Sequence, residues 1–360
     1  MPKEWDMREY QSGDEVHILE YQNSTMALED RRSLEYWRWE YESNPTGLRT
    51  ICIAEGKDGT LAGHYALMPL RMKVGTREFS GAQSVDTFTH HEYRRLGIFV
   101  TLANAVYEMA AQKGVSVFYG FPSDSSYPGF VEKLDWIRVT TIDKMNKALT
   151  LPSIAMSAFG TIRKHGPRPF ASLLYKLVLG WKKRRKLRSD KPGLVVKRIK
   201  RFDKDVDKLW ENIATQDEIR VVKDSTYLNW RYVKKPENTY MIFRVHVNQS
   251  ILGYLVFEKK IAIGRLLRRC LLLDFVTETN SDNIRLLLMI ASRIARKLGG
   301  DSLTVWSSYG SIPHSILLKE GYSSIGELIL ISRQNRKDFD SRILHDVKRW
   351  FIMAGDADTV

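Results

Sequence analysis

The sequence predicts an α/β fold with a mixed α+β sheet, built twice along the chain. Two observations support this prediction: the order in which helical and extended hydrophobic periods follow each other, and a motif that recurs. The length of 360 residues also exceeds that of a usual single domain. We therefore expect two compact domains, each large enough to bury a core.

The first half changes from helices to strands and then alternates between them. Helices are predicted where apolar side chains recur every three to four residues: 15–26, 31–42, 98–113 and 127–133. Strands are predicted at short apolar or alternating runs bounded by turn residues: 50–55, 61–70, 71–79, 83–89, 115–121 and 136–141. This order is typical of an α/β sandwich.

A motif near the end of the second predicted helix returns in the second half. The pattern Trp-x-Tyr-x-x-x-Pro begins at Trp39 and again at Trp230, an offset of 191 residues. Further along, Asp86 corresponds to Asp274 in a later strand. A duplicated fold is the economical explanation. The predicted segments are domain 1–150, linker 151–194, domain 195–335, and a C-terminal helix or tail at 336–360.

The excess positive charge lies in one segment. The formal net charge is +14, and residues 159–201 hold 15 Lys and Arg against one acid, so the rest of the chain is neutral. Within this segment, Phe170–Arg188 combines apolar residues with a basic cluster, which suits contact with an anionic membrane surface. A solvated linker that docks on a domain explains the same pattern. Nucleic acid is not favoured as a partner, because the charge is confined to one block.

Cysteine content and the N-terminus indicate a cytoplasmic protein. Cys52 and Cys270 are the only cysteines, and neither has a further Cys or His at ligand spacing. A disulfide framework and a metal site are therefore unsupported. The first 11 residues carry charges where a secretory signal would be apolar. We expect a reducing cytoplasmic location, with peripheral contact at the inner membrane face through the linker.

One strand-turn-helix segment indicates chemistry. Residues 84–99 read SVDTFTHHEYRRLGIF, a strand that leads through a basic turn with glycine into a helix. A pyrophosphate is held by backbone N–H groups that converge at a helix N-terminus, and glycine allows close approach of the backbone. Arg94 and Arg95 would add charge-assisted contacts.

This turn resembles the acetyl-CoA signature of the GNAT superfamily of N-acyltransferases, Gln/Arg-x-x-Gly-x-Gly/Ala. Arg94 and Gly97 match its first two fixed positions, while Phe99 stands at the third, where a small residue is commoner. The resemblance implies two tandem GNAT-like α/β/α domains. Residues 276–283 of the second domain lack the Arg-x-x-Gly turn, which implies a degenerate second copy.

The resemblance further implies an N-acetyltransferase that moves an acetyl group from acetyl-CoA, its co-substrate, to a primary amine of a small molecule or amino sugar, without a metal. The pantetheine arm is expected between strands 83–89 and 115–121, with a backbone N–H near Phe88 or Thr89 at the thioester carbonyl. The implied acetyl-CoA-binding residues are Thr87, Phe88, Thr89, Arg94, Arg95, Leu96, Gly97, Ile98 and Phe99.

Two residues are candidate catalysts. Asp86 lies in the strand before the turn, where a carboxylate could take the amine proton; because Asp274 repeats it, a shared structural role is the alternative. Tyr127 follows the second splayed strand, where family members often place the acid that protonates the thiolate. The usual tyrosine position is Val131 here, so Tyr119 or a packed tyrosine are alternatives.

Two other functions fit the same fold. A non-catalytic protein could bind membranes or polyanions through the basic linker. A Fem-like enzyme would transfer an aminoacyl group from a charged tRNA, but the turn at Arg94–Ile98 favours acetyl-CoA.

Overall fold

The computed structural model describes residues 4–150, 153–154, 192–236, 239–248, 250–262 and 267–358. The predicted membrane-contact segment Phe170–Arg188 lies outside these ranges. Across the ranges just given, every helix is too short or too polar to cross a bilayer.

From Asp14 to Ala148 the secondary structure follows the predicted order of helices and strands, whereas the strand Trp5–Glu9 before the first helix was not predicted. The α-helices in the described ranges are α1 Asp14–Thr25, α2 Leu34–Tyr41, α3 Ile98–Gln112, α4 Tyr127–Lys133, α5 Lys204–Ala214, α6 Ser225–Leu228, α7 Ser281–Lys297 and α8 Ile312–Lys319. The strands are β1 Trp5–Glu9, β2 Thr50–Gly56, β3 Leu61–Gly75, β4 Arg77–Thr89, β5 Val117–Gly120, β6 Ile137–Ala148, β7 Leu194–Ile199, β8 Glu218–Val221, β9 Met241–Val247, β10 Ser250–Ala262, β11 Leu267–Val276, β12 Ser302–Ser308 and β13 Ser323–Gln334.

These strands form one mixed sheet. Its order is β1-β2-β3-β4-β5-β13-β6-β12-β11-β10-β9-β7, and β8 pairs with β3 outside this path. Most neighbours are antiparallel, whereas β4 and β5 are parallel, as are β11 and β12. The predicted mixed α/β fold class is confirmed.

The two predicted halves share this sheet. Strand β13 of the second half lies between β5 and β6 of the first half. Strand β6 in turn pairs with β12 of the second half. Each half therefore completes the other's sheet, although both carry the same order of a three-stranded meander, helix, strand, helix and strand. The boundaries 1–150 and 195–335 stay predictions.

The recurring tryptophans meet at the centre of the molecule. The rings of Trp39 and Trp230 stack with centroids 4.8 Å apart and planes 14° from parallel. The indole N–H of Trp39 donates to the carbonyl of Trp230 at 2.8 Å, and the reverse bond measures 2.9 Å. This reciprocal contact joins the two halves through equivalent residues.

Some predicted boundaries are wrong. A single strand, β3, replaces the predicted segments 61–70 and 71–79, and β4 begins at Arg77 rather than at residue 83. Most of β3 is buried on both faces, so its residues do not alternate and the hydrophobic pattern cannot show where the strand ends. Gly75, with φ +65°, makes the one turn between them. A C-terminal helix or tail was predicted at 336–360. The described part of this segment forms a tail with short 3₁₀ turns at 341–345, 347–349 and 354–356.

Candidate active site

Strands β4 and β5 separate after a short parallel ladder. Their register runs from Gly81–Val117 to Gln83–Tyr119, where the ladder ends. A cavity of about 790 Å³ lies beyond this point, between the two strands. The predicted splay is therefore present. Six predicted site residues line the cavity: Asp86, Thr87, Phe88, Thr89, Arg94 and Phe99.

A bulge at Asp86 turns β4 at the cavity. Asp86 has a left-handed backbone with φ 51°, and the β3–β4 register shifts opposite it, between His64 and Ala66. The buried His64 ring donates from Nδ1–H to the Asp86 carbonyl at 2.6 Å. Burial lowers the pKa of His64, which keeps the ring neutral. The bulge therefore bends β4 where the strand borders the cavity.

The basic turn after β4 has the geometry of an anion-binding loop. Arg95 and Gly97 both adopt left-handed backbones, with φ 66° and 80°, and α3 begins at the next residue. Such alternation directs successive N–H groups to one side, and the first turn of α3 carries no acid. Arg94 extends from this turn into the cavity lining.

Close packing fixes the start of α3 against the sheet. A Cβ on Gly63 of β3 would lie 2.5 Å from Cγ2 of Ile98, so only glycine allows this approach. Ile98 is buried, and Leu96 packs against the same cluster. Arg95, Leu96, Gly97 and Ile98 thus shape the turn but do not line the cavity.

Phe99 is accommodated by a glycine on α4. A Cβ on Gly129 would lie 2.8 Å from Cε1 of Phe99, so the ring fills the space that a side chain there would take. The same ring packs edge-on against Phe130, with centroids 5.2 Å apart. The bulky third position of the turn is therefore matched by a small residue opposite.

The Asp86 carboxylate is held by a cation and a phenol. Arg32 Nη1 lies 2.6 Å from Oδ1, and the Tyr41 hydroxyl donates to Oδ2 at 2.7 Å. Burial favours the neutral acid, but Arg32 and Tyr41 outweigh it and keep the pKa of Asp86 below its usual range. Nearby, burial and the Asp86 charge raise the pKa of Glu40 to about 8. Asp86 is thus a fixed anion with both oxygens engaged.

The C-terminal tail reaches the same cavity. Asp358 lines it, and the side chain of Gln83 on β4 donates from Nε2 to Asp358 Oδ1 at 2.7 Å. Burial raises the pKa of Asp358. The negative charge of Asp86 raises it further, whereas the positive charge of Arg32 lowers it by less than these effects raise it. A raised pKa makes the Asp358 carboxylate a better proton acceptor than an ordinary surface carboxylate. Asp358 was not predicted as a site residue, because no local motif surrounds it in the sequence.

Known proteins share this architecture. Residues 6–139 match the family model described as acetyltransferase (GNAT) domain. The structures of two GCN5-related N-acetyltransferases each align with 92% of this chain. The one from Anabaena variabilis has a TM-score of 0.63 and 11% sequence identity, and 73% of that chain is covered. The one from Kribbella flavida has a TM-score of 0.60 and 12% sequence identity, and 71% of that chain is covered. The structure of Saccharomyces cerevisiae N-myristoyltransferase with bound myristoyl-CoA also aligns with 92% of this chain. Its TM-score is 0.57, its sequence identity is 11%, and 82% of that chain is covered.

The chain has a GNAT-like fold. Identities of 11 to 12% show the fold alone. No curated protein sequence matches the chain.

Within this GNAT-like fold, Tyr127 is not among the side chains that line the cavity. It begins α4 and packs against the apolar cluster beneath α3. Its role as an acid stays a prediction. Other hydroxyl groups that were not predicted as site residues also line the cavity: Tyr21, Thr25, Ser84, Ser123, Ser125 and Ser126. Ser84 lies on β4, whereas Ser123, Ser125 and Ser126 belong to a serine-rich run before α4, and this enrichment was the only signal of these three in the sequence.

Proposed function

We propose that the protein is an acyl-CoA-dependent N-acyltransferase that transfers an acetyl group to a primary amine of a small molecule or amino sugar. The observation that carries this proposal is the single cavity in which the basic turn and two carboxylates meet. Arg94, Asp86 and Asp358 all line this cavity. The donor and the amine would therefore share one space.

The residues around the cavity fit acetyl-CoA. Helix α3 offers first-turn N–H groups and Arg94 offers a cation for the diphosphate. The edge of β4 from Thr87 to Thr89 lies where an extended pantetheine arm would pair. Bound acetyl-CoA would supply the thioester acyl group. Because Asp86 and Asp358 make this part of the lining acidic, a short acyl group fits better there than a long hydrocarbon chain.

The carboxylates fit an amine acceptor. We assign Asp358 as the general base, because packing raises its pKa and it borders the cavity. Asp86 remains ionised beside Arg32 and would orient the ammonium form of the acceptor before it loses its proton. In the reaction, the ammonium first gives one proton to Asp358, and the neutral amine nitrogen then bonds to the acyl carbon. The C–S bond breaks, coenzyme A leaves as the thiolate, and the second proton of the nitrogen passes to that thiolate to give the amide and the free thiol.

The second half supports the first in this proposal. We interpret it as a degenerate GNAT copy, since Asp274 repeats Asp86 and accepts from Tyr232 at 2.9 Å, as Asp86 accepts from Tyr41. After β11, the chain enters α7 through a turn without Arg or Gly. We place the protein in the cytoplasm.

Binding of acetyl-CoA is the first test. Calorimetry is expected to detect binding, and Arg94→Glu is expected to weaken it by about tenfold to a hundredfold, the value of one or two charge-assisted contacts. Arg138→Glu is the matched control, because Arg138 is exposed on β6 and does not line the cavity. Absence of binding, or equal loss in both variants, contradicts the proposal.

Turnover is the second test. A thiol-release screen over amino sugars, polyamines, aminoglycosides and peptides is expected to identify an acceptor. With that acceptor, Asp358→Asn is expected to lower kcat by about 10² to 10⁴ and leave acetyl-CoA affinity unchanged. The wild-type rate should rise with pH as Asp358 ionises. Binding without release for any amine would favour the non-catalytic alternative.

A further inference from the structure

The second half contains a buried ion cluster at the place that corresponds to the candidate active site. Lys223 Nζ lies 2.8 Å from Asp274 Oδ1 and 2.9 Å from Asp356 Oδ1. All three side chains are at most 1% exposed. The Tyr232 hydroxyl donates to the other oxygen of Asp274 at 2.9 Å. One lysine thus balances two buried carboxylates.

One member of this cluster belongs to the C-terminal tail. The Asp356 carboxylate also accepts from the N–H of Met353 at 2.8 Å, which closes the last 3₁₀ turn. Arg231 of the second half donates to the tail carbonyls of Gly355, at 3.0 Å, and Ala357. Arg231 therefore anchors the tail on both sides of Asp356, and Lys223 binds Asp356 itself.

The first half contacts the same tail from the cavity side. The Tyr119 hydroxyl of β5 donates to the Asp356 carbonyl at 2.7 Å. Gln83 of β4 donates to the side chain of Asp358. A single residue, Ala357, therefore separates Asp356 of the buried cluster from Asp358 in the cavity, so the position of the cluster limits where Asp358 can lie.

We propose that Lys223 is a positioning residue, which locks the tail through Asp356 and so holds Asp358 at the cavity. Its catalytic consequence rests on the function proposed above, but the lock itself does not. Without Lys223, Asp274 and Asp356 would be two uncompensated carboxylates in a dry interior. Detachment of the tail would relieve this repulsion, because Asp356 lies in the tail whereas Asp274 lies in strand β11.

Cysteine labelling tests the lock without relying on activity. Ala357 is 1% exposed, and the two native cysteines are buried. Ala357→Cys therefore introduces a thiol that reacts with a maleimide when the tail detaches. Adding Lys223→Met is expected to accelerate this labelling by at least about tenfold, while Lys223→Arg restores slow labelling. Asp356→Asn, which leaves the Lys223–Asp274 pair intact, is a second route to faster labelling if Lys223→Met does not fold.

Lys73→Met is the matched control. Lys73 is also fully buried, but it donates to the carbonyls of Gly75 and Gln216 and does not touch the tail. It is expected to lower stability without accelerating labelling at position 357. Unchanged labelling in both the Lys223→Met and Asp356→Asn backgrounds, or equal acceleration by Lys73→Met, overturns the proposal.

Kinetics test the catalytic consequence with the acceptor found by the thiol-release screen. Lys223→Met is expected to lower kcat at least about tenfold and to leave the acetyl-CoA dissociation constant within about twofold, with Lys223→Arg recovering most of kcat. If labelling responds but the unsubstituted protein transfers no acyl group, the proposed function fails and the lock stands. If transfer occurs and kcat is insensitive to Lys223, the positioning role is refuted.

Discussion

Replacement of Arg32 by methionine tests whether Asp86 is a fixed anion. Arg32 lies 2.6 Å from Asp86, and the two side chains are 12% and 5% exposed. Removing one partner of a buried ion pair typically costs about 3 to 5 kcal/mol. We expect a loss of this size in the free energy of unfolding at pH 7, measured by urea denaturation. Arg32→Lys should lose less.

The sign of the pH dependence makes this prediction specific. In the wild type, the pKa of Asp86 is depressed, so its stabilisation is present above the unfolded pKa of about 4 and is lost as pH falls through the folded value. Without Arg32, burial raises the pKa of Asp86. As pH falls, the folded variant takes up a proton on Asp86 before the wild type does. The difference in the free energy of unfolding between the wild type and Arg32→Met should then shrink by about 1.4 kcal/mol for each pH unit over which only the variant holds this proton.

Glu40→Gln is the matched control for this pH dependence. The folded pKa of Glu40 is already about 8, so the wild type loses stability as pH rises from the unfolded value toward 8. The amide should therefore stabilise the protein at pH 8 and have little effect at pH 4. An Arg32→Met deficit below about 1 kcal/mol, or one equal at pH 5 and pH 7, would refute the reasoning.

Three further predictions, which use four substitutions, test the packing of the molecule. Gly129→Ala should weaken acetyl-CoA binding by displacing the Phe99 ring, and Phe99→Leu in the same chain should restore it; calorimetry that finds no rescue contradicts this. Gly97→Ala should lower the free energy of unfolding by about 1 to 2 kcal/mol. The cost comes from the positive φ alone, since no heavy atom lies within 4 Å of the added Cβ. A larger loss, measured by urea denaturation, would contradict this explanation. Trp39→Phe should cost about 2 to 3 kcal/mol, because the carbonyl of Trp230 loses its donor, and a loss near zero by thermal or urea denaturation would disprove this.

The strand-turn-helix segment was predictable because its signals are local. A glycine at Gly97, charges at Arg94 and Arg95, and a change of hydrophobic period all lie within a few residues. The structure places this segment at the end of a splayed strand, as predicted. The role expected of Tyr127 had weaker support, because its side chain direction depends on how α4 packs against α3.

The roles proposed for Asp86 and Asp358 depend on contacts between residues that are far apart in the sequence. Asp86 is a candidate base by its position in the sequence, yet Arg32 and Tyr41 come from another element and occupy its oxygens. Asp358 has no motif around it, and its relation to the cavity exists only because the tail returns across the second half. Contacts of this kind leave no periodic or local pattern.

The amino-acid sequence by itself determined the α/β class, the basic strand-turn-helix segment and the correspondence between the Trp39 and Trp230 motifs, since each depends on spacing over a few residues. Tertiary structure alone decided that β13 lies between β5 and β6, that β6 pairs with β12, and that Lys223 contacts Asp356 of the tail. The physical reason is that strand pairing and buried ion pairs depend on which distant segments share a dry interior, a choice made by the packing of the whole chain.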